Sequence, residues 1–193
     1  MTYRATREQL ERYRGEIASI RQKIRAAQAT IEPEPVADYE FETPDGRVRL
    51  SALFGDRRDL IAIHNMGVSC AYCTLWGDGF NGVYAHLTSR AAFVIASPDP
   101  PMVQRAFAAS RGWKCAMVSH QGTSFAADMG YQSRTGRWLP GVSVFRRTGT
   151  GVVRVSDASF SPLDDYCAVW HLFDLLPEGC AGWTPRDAPP PRA

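Results

Sequence analysis

The chain has 193 residues, a net charge of +2, and 45% hydrophobic against 22% charged residues. That length suits one domain with appendages and a sizeable core, and the charge argues neither for nor against an acidic partner. No run approaches the roughly 20 apolar residues of a membrane span, and an odd number of cysteines, five, argues against a fully paired disulfide framework.

The start, Met-Thr-Tyr-Arg, has no apolar segment behind its charges, so no secretory signal is expected. The expected location is the reducing cytoplasm of a bacterial cell. There a close cysteine pair is redox-active or metal-binding more often than a structural staple.

Residues 6–29 are expected to form a helix, with Thr6 as N-cap and Gln9 completing a capping box. Leu10, Tyr13, Ile17, Ile20, Ile24, Ala27 and Ile31 recur on alternating three- and four-residue steps, an a/d seam of about three heptads. Three readings of residues 1–31 follow: a helix laid against its own domain, a helix paired between two subunits of a homodimer, or a basic arm. The third draws on seven Arg/Lys against three Glu in residues 1–30. No aromatic stacking surface accompanies those arginines, so no nucleic-acid partner is expected.

Glu32-Pro-Glu-Pro35 reads as a stiff linker into a domain spanning 32–177. Tyr39-Glu-Phe41, the Pro44-Asp-Gly46 turn and Val48-Arg-Leu50 read as a hairpin, and Ser51 to Gly55 as a short helical turn. Asp59 to His64 is a buried strand. It breaks at Asn65 and Gly67, and Cys70-Ala-Tyr-Cys73 opens a helix expected to run to Leu87. Gly77, Gly79 and Gly82 each cost that helix roughly 1 kcal/mol against Ala, so a kink or a close approach by another backbone is expected.

Ala92 to Ala96 is the next strand. Pro98 to Pro101 opens a helix to about Ser110, Cys115 to Val118 is a strand, and Ser124 to Met129 a short helical piece. Gly141 to Arg146 and Val152 to Val155 pair as a hairpin, and Asp164 to Leu176 is the last helix. The proline-rich stretch 178–193 is expected to be disordered. Strands alternating with helices before a closing hairpin predict an α/β fold, a central mixed sheet flanked by helices with an N-terminal helical extension.

Cys70 and Cys73 carry the strongest chemical signal. Cysteines three apart at a helix N-terminus can close a small disulfide, and the unpaired N–H groups and dipole there stabilise a thiolate on the first sulfur. As a redox pair, Cys70 is the exposed nucleophile and Cys73 the buried resolving thiol. A metal site needs further ligands at matching spacing, and no second Cys-x-x-Cys or His-x-x-x-His exists. A vestigial pair on a binding module is the other alternative. No Gly-x-Gly-x-x-Gly follows a strand and no P-loop is present, so no bound organic cofactor is expected.

Trp76, one helical turn beyond Cys73, either covers the pair or packs in the core. Asp78, flanked by glycines, either takes the resolving thiol's proton or hydrogen-bonds a neighbouring loop together with Asn81. His64 and His86 read as structural. His120 is the more exposed candidate for tuning a thiolate. Cys115, Cys167 and Cys180 read as two buried small hydrophobes and one tail thiol.

The element order resembles the thioredoxin fold, and Phe41 to Gly55 resembles the opening segment of its peroxiredoxin-type members. More narrowly, Cys70-Ala-Tyr-Cys-Thr-Leu-Trp-Gly-Asp-Gly-Phe-Asn-Gly82, His86-Leu87, Arg111-Gly-Trp113, Val118-Ser119 and Gly141-Val-Ser-Val-Phe145 resemble a bacterial thioredoxin-like family known mainly as a domain of unknown function. Ala71 stands where members of that family often have proline. The resemblance implies a cis Pro140 facing the cysteine pair, and exchange with protein or small-molecule thiols and disulfides. Peroxiredoxins place a threonine three residues before the reactive cysteine and a distant arginine against the peroxide. Here Gly67 fills the threonine position, although Arg134 or Arg137 could supply the cation.

Overall fold

The computed structural model describes residues 2–186. They fall into two compact units, the first ending at Pro33 and the second beginning at Glu34.

The first unit is helix α1, Tyr3–Gln28. Its N-cap is Thr2, whose hydroxyl accepts from Ala5 N, and not Thr6. Gln9 donates instead to the Tyr13 hydroxyl at 2.8 Å. The cap moves upstream because Tyr3, Arg4 and Ala5 already sustain the helix, leaving no orphan donor near Thr6.

The second unit contains, in chain order, β1 (Glu34–Val36), β2 (Glu40–Thr43), β3 (Gly46–Arg49), a 3-10 turn (Leu50–Phe54), β4 (Asp59–His64), α2 (Ala71–Gly82), α3 (Tyr84–Arg90), β5 (Ala92–Ser97), α4 (Pro101–Arg111), β6 (Ala116–Ser119), α5 (Phe125–Asp128), β7 (Gly141–Thr148), β8 (Gly151–Ser159) and α6 (Ala168–Phe173). The sheet has eight strands in the order β1-β8-β7-β4-β5-β6-β2-β3. β4, β5 and β6 are parallel neighbours, and the remaining pairs are antiparallel. The mixed sheet flanked by helices is the expected architecture.

β4 and β5 are central and covered on both faces, as parallel strands must be. Leu60, Ala62, Val94 and Ala96 pack with Phe41, Phe54, Phe125, Tyr131 and Phe145 on one face. Ile63, Phe93 and Ile95 pack with Cys73, Trp76, Trp113, Phe160 and Trp170 on the other. At the start of β4, the buried Asp59 carboxylate accepts from Arg146 at 2.7 Å and Arg90 at 3.1 Å.

Four expectations need correction. Pro35 lies inside edge strand β1, opposite Val153, because an edge position tolerates a missing N–H. Arg154 fixes that edge through Glu34 Oε2 at 2.9 and 2.5 Å. The helix after the cysteines ends at Gly82, and α3 restarts at Tyr84 beyond Val83. Helix α6 is shorter than Asp164 to Leu176, because the Asp164 carboxylate accepts from the Ser161 and Tyr166 N–H groups and holds a turn before it. Beyond Pro177 the chain begins as packed turns, with Trp183 edge-on to Trp170 and Phe173. The rest of the predicted tail, 187–193, lies outside the described residues.

Candidate functional site

The site forms where β4 hands over to α2. The chain leaves the sheet with Asn65 N donating to Ala96 O at 2.9 Å. It then turns through Gly67, whose φ of 114° is a conformation that favours glycine. The turn is held from both sides. Gly67 N donates to Asn65 Oδ1 at 2.8 Å, and Val68 N to Asp99 Oδ2 at 3.0 Å. The Asp99 carboxylate lies so close over Gly67 that a Cβ there would sit 3.2 Å from its oxygen. Ser97 Oγ donates to the same Asp99 oxygen at 2.8 Å, and Gln104 Nε2 to Ser97 Oγ at 2.9 Å.

This turn delivers Cys70 as the N-cap of α2, its backbone extended. Its sulfur takes the role usually played by a serine or aspartate oxygen, accepting the Cys73 N–H at 3.0 Å. Cys70 is half-buried, whereas Cys73 is only 3% exposed. No disulfide joins them. Cys73 Sγ accepts from the Met66 N–H at 3.4 Å.

The two thiols are therefore inequivalent. Cys73 is held well above the usual thiol range, first by its hydrogen bond to Cys70, then by burial, then by the negative charge on Cys70. The Met66 N–H works in the opposite direction. A sulfur at a helix N-terminus is better able to carry that charge than one buried in an apolar cluster. The arrangement keeps Cys73 protonated whenever Cys70 carries negative charge.

Trp76 is 3% exposed, donates Nε1 to Asp164 Oδ1 at 3.3 Å, and packs on Tyr72 and Phe160. It shares the apolar cluster of Cys73 and forms the back wall of the pair. Asp78 accepts from Arg111 Nε at 2.9 Å and Trp113 Nε1 at 2.8 Å, with a second guanidinium contact through Arg111 Nη2. Beside it, Asn81 accepts from Lys114 N at 2.6 Å and donates to Gly112 O. Both side chains clamp α2 to the end of α4. Gly77 makes the room, since a Cβ there would stand 2.3 Å from the Trp113 ring. The close approach expected at the glycines is thus by an indole, not by another backbone.

Pro140 is trans, for no cis peptide occurs among the described residues. Its carbonyl accepts the Phe160 N–H, and the next residue, Gly141, pairs with Ser159 of β8 and with His64 at the end of β4. His120 is not the exposed residue expected from the sequence. It is 2% exposed, edge-on to Trp138, and burial pushes it down to about 4. His64 stacks on Tyr131 and Phe125, so it lies on the sheet face opposite Cys73. His86, Arg134 and Arg137 are exposed.

Sequence reasoning overlooked Asp99 and the Met66 amide. Asp99 does sit between two prolines ahead of a helix, a turn signal, but nothing local ties it to a loop thirty residues earlier. A backbone amide has no sequence signature at all.

A family profile described as "Bacterial protein of unknown function (DUF899)" matches residues 2–185. No curated protein matches the chain. Among solved structures, peroxidoxin BcpB from Mycobacterium tuberculosis superimposes with a TM-score of 0.58 at 24% identity, over 67% of this chain and 86% of that one. Prx3 from Vibrio vulnificus in complex with hydrogen peroxide gives 0.52 at 16%, over 69% and 90%. The bacterioferritin comigratory protein of Xanthomonas campestris gives 0.51 at 19%, over 67% and 86%. At such identities the likeness establishes the fold, the thioredoxin fold of peroxiredoxins. No helix among the described residues is long and apolar enough to cross a membrane.

Proposed function

The chain belongs to that bacterial family of unknown function, and we propose that in it the Cys70/Cys73 pair carries out thiol–disulfide exchange. The observation that supports this is the Cys73 N–H donated to Cys70 Sγ at 3.0 Å, with Cys73 buried behind it. The Cys70 thiolate attacks one sulfur of a substrate disulfide, forming a mixed disulfide and expelling the other sulfur as a thiolate that takes up a proton. Once Cys70 is bonded to sulfur, the charge and hydrogen bond that kept Cys73 protonated are gone. The Met66 N–H then favours its thiolate, which attacks Cys70 Sγ and releases the second substrate thiol. The net change is a dithiol oxidised to the Cys70–Cys73 disulfide and one disulfide reduced to two thiols. An external thiol couple reverses it.

A second reading is favoured by the peroxiredoxin-type fold. A hydroperoxide oxidises the Cys70 thiolate to a sulfenic acid and leaves as the alcohol or water, and Cys73 then closes the disulfide with loss of water. Against it, Gly67 stands in the threonine position and Arg134 and Arg137 are exposed.

Equilibration in glutathione or dithiothreitol buffers with mass-spectrometric readout tests both readings. A reversible Cys70–Cys73 couple between about −120 and −270 mV, the span of thioredoxin-fold oxidoreductases, is the expected result. Cys73→Ser should trap a mixed disulfide with a model disulfide substrate. Peroxide consumption without disulfide exchange would move the assignment to peroxidase. Two thiols that give no reversible couple would remove both.

A further inference from the structure

Helix α1 buries none of its residues, yet it carries one continuous apolar row. Leu10, Tyr13, Ile17, Ile20, Ile24 and Ile31 are each 45–55% exposed. We propose that this row pairs with the same row of a second copy of the chain, in a parallel, in-register two-stranded coiled coil. The proposal stands independently of the redox reading.

The spacing selects the kind of partner. With Leu10, Ile17, Ile24 and Ile31 at heptad position a, and Tyr13, Ile20 and Ala27 at d, the row follows a 3.5-residue period. Within helix α1, Tyr3–Gln28, the pattern fills three heptads, Leu10 to Ala27, the minimum at which it argues for a coiled coil. Ile17 and Ile24 at a match the two-stranded pattern, whereas d holds Tyr13, Ile20 and Ala27 in place of its leucines, so the number of strands is left to the measurement below. The helix also needs packing to persist, because Gly15 lies mid-helix on the outer face, with nothing near its Cα to replace the lost propensity. The observed ion pair Arg4–Glu8 lies on that outer face as well.

The flanking charges select the orientation. The e positions are Arg7, Arg14, Arg21 and Gln28, and the g positions are Gln9, Glu16, Lys23 and Thr30. A parallel pair sets each g residue against the e residue five further on in the partner. Gln9 then meets Arg14, Glu16 meets Arg21 and Lys23 meets Gln28, with no like charges opposed. An antiparallel pair sets the arginine-rich e flank against itself. Charge complementarity thus points to a second copy, aligned in the same direction.

Light scattering on the full chain over a dilution series tests this. The native chain should run as a dimer, and Ile17→Glu/Ile24→Glu as a monomer that keeps its near-ultraviolet dichroism. Because two charges in the apolar row also weaken helix α1 itself, a charge exchange is decisive. Glu16→Arg should weaken the dimer by roughly tenfold, the scale of a few exposed ion pairs, and Glu16→Arg/Arg21→Glu should restore it. Ile24→Cys should cross-link to itself under mild oxidation, above the native background. A monomeric or trimeric native chain, a dimer indifferent to the seam, or failure of the double exchange to restore association would overturn the proposal.

Discussion

The backbone N of Cys73 lies 3.0 Å from the sulfur of Cys70, so one hydrogen bond caps helix α2 and favours negative charge on that sulfur. Structure and chemistry can be separated here, since a serine hydroxyl also caps but does not exchange. Cys70→Ser should keep its unfolding midpoint in urea and lose all disulfide exchange. Cys70→Ala should lose exchange and also about 0.5–2 kcal/mol of stability. Equal stability of the two variants would show that the sulfur does not cap.

Reactivity should be divided as unevenly as burial. A small alkylating agent should modify Cys70 far faster than Cys73 at neutral pH, read by mass spectrometry of quenched digests. Replacing Cys70 removes the sulfur whose hydrogen bond and negative charge, together with burial, hold Cys73 protonated, so denaturation-free labelling of Cys73 should speed up in Cys70→Ser. A Cys73 that reacts first in the native chain would reverse the assigned roles.

The Asp78 clamp predicts a stability effect without a redox effect. Asp78→Asn leaves the Arg111 guanidinium, 7% exposed at its side chain, without a counter-charge. The expected cost is on the order of 1–3 kcal/mol, the price of an unmet buried donor. The pH dependence of Cys70 alkylation should not move. A shifted profile would return Asp78 to a part in the thiol chemistry.

Glycines on α2 should answer to substitution with opposite signs. Gly77→Ala drives a methyl into the Trp113 ring at 2.3 Å and should cost about 1–3 kcal/mol. Gly79→Ala meets nothing within 4 Å and should gain roughly 0.5–1 kcal/mol, from helix propensity alone. Thermal unfolding of the two variants distinguishes them directly.

Acid should destabilise the fold well above the range of carboxylates. Burial lowers His64 from 6.5 to about 3 and His120 from 6.5 to about 4. Below pH 6.5 the unfolded chain binds protons that the folded chain refuses, so stability present above 6.5 is lost as pH falls toward 4. Each histidine contributes at most about 1.4 kcal/mol per pH unit. Asp59, held low by Arg146 and Arg90, contributes only in the lower window beneath 3.8. A urea midpoint that stays flat between pH 6.5 and 4.5 would show that the two histidines are not buried neutral.

Elements whose signal is local were legible in the chain. Alternation along residues 39–50, the glycine and proline turns, and the unbroken apolar runs of β4 and β5 each specify a strand and its buried face within a few residues. The Cys70-x-x-Cys73 pair and its helix terminus follow from the same short-range logic, as does the apolar row of α1. Residues whose role depends on a distant partner were not legible. Strand β1 exists because Glu34, Pro35 and Val36 pair with Arg154, Val153 and Val152 of β8, Asp78 is committed by Arg111 and Trp113, and Asp99 acts on a loop 31 residues away. His120 is buried against Trp138, and Trp183 packs edge-on to Trp170. Hydrophobic periodicity reports which side of an element is buried, because it is a property of one helix or strand. Which groups meet across the sheet is decided by packing of the whole chain, and the inequivalence of the two thiols arises at that level.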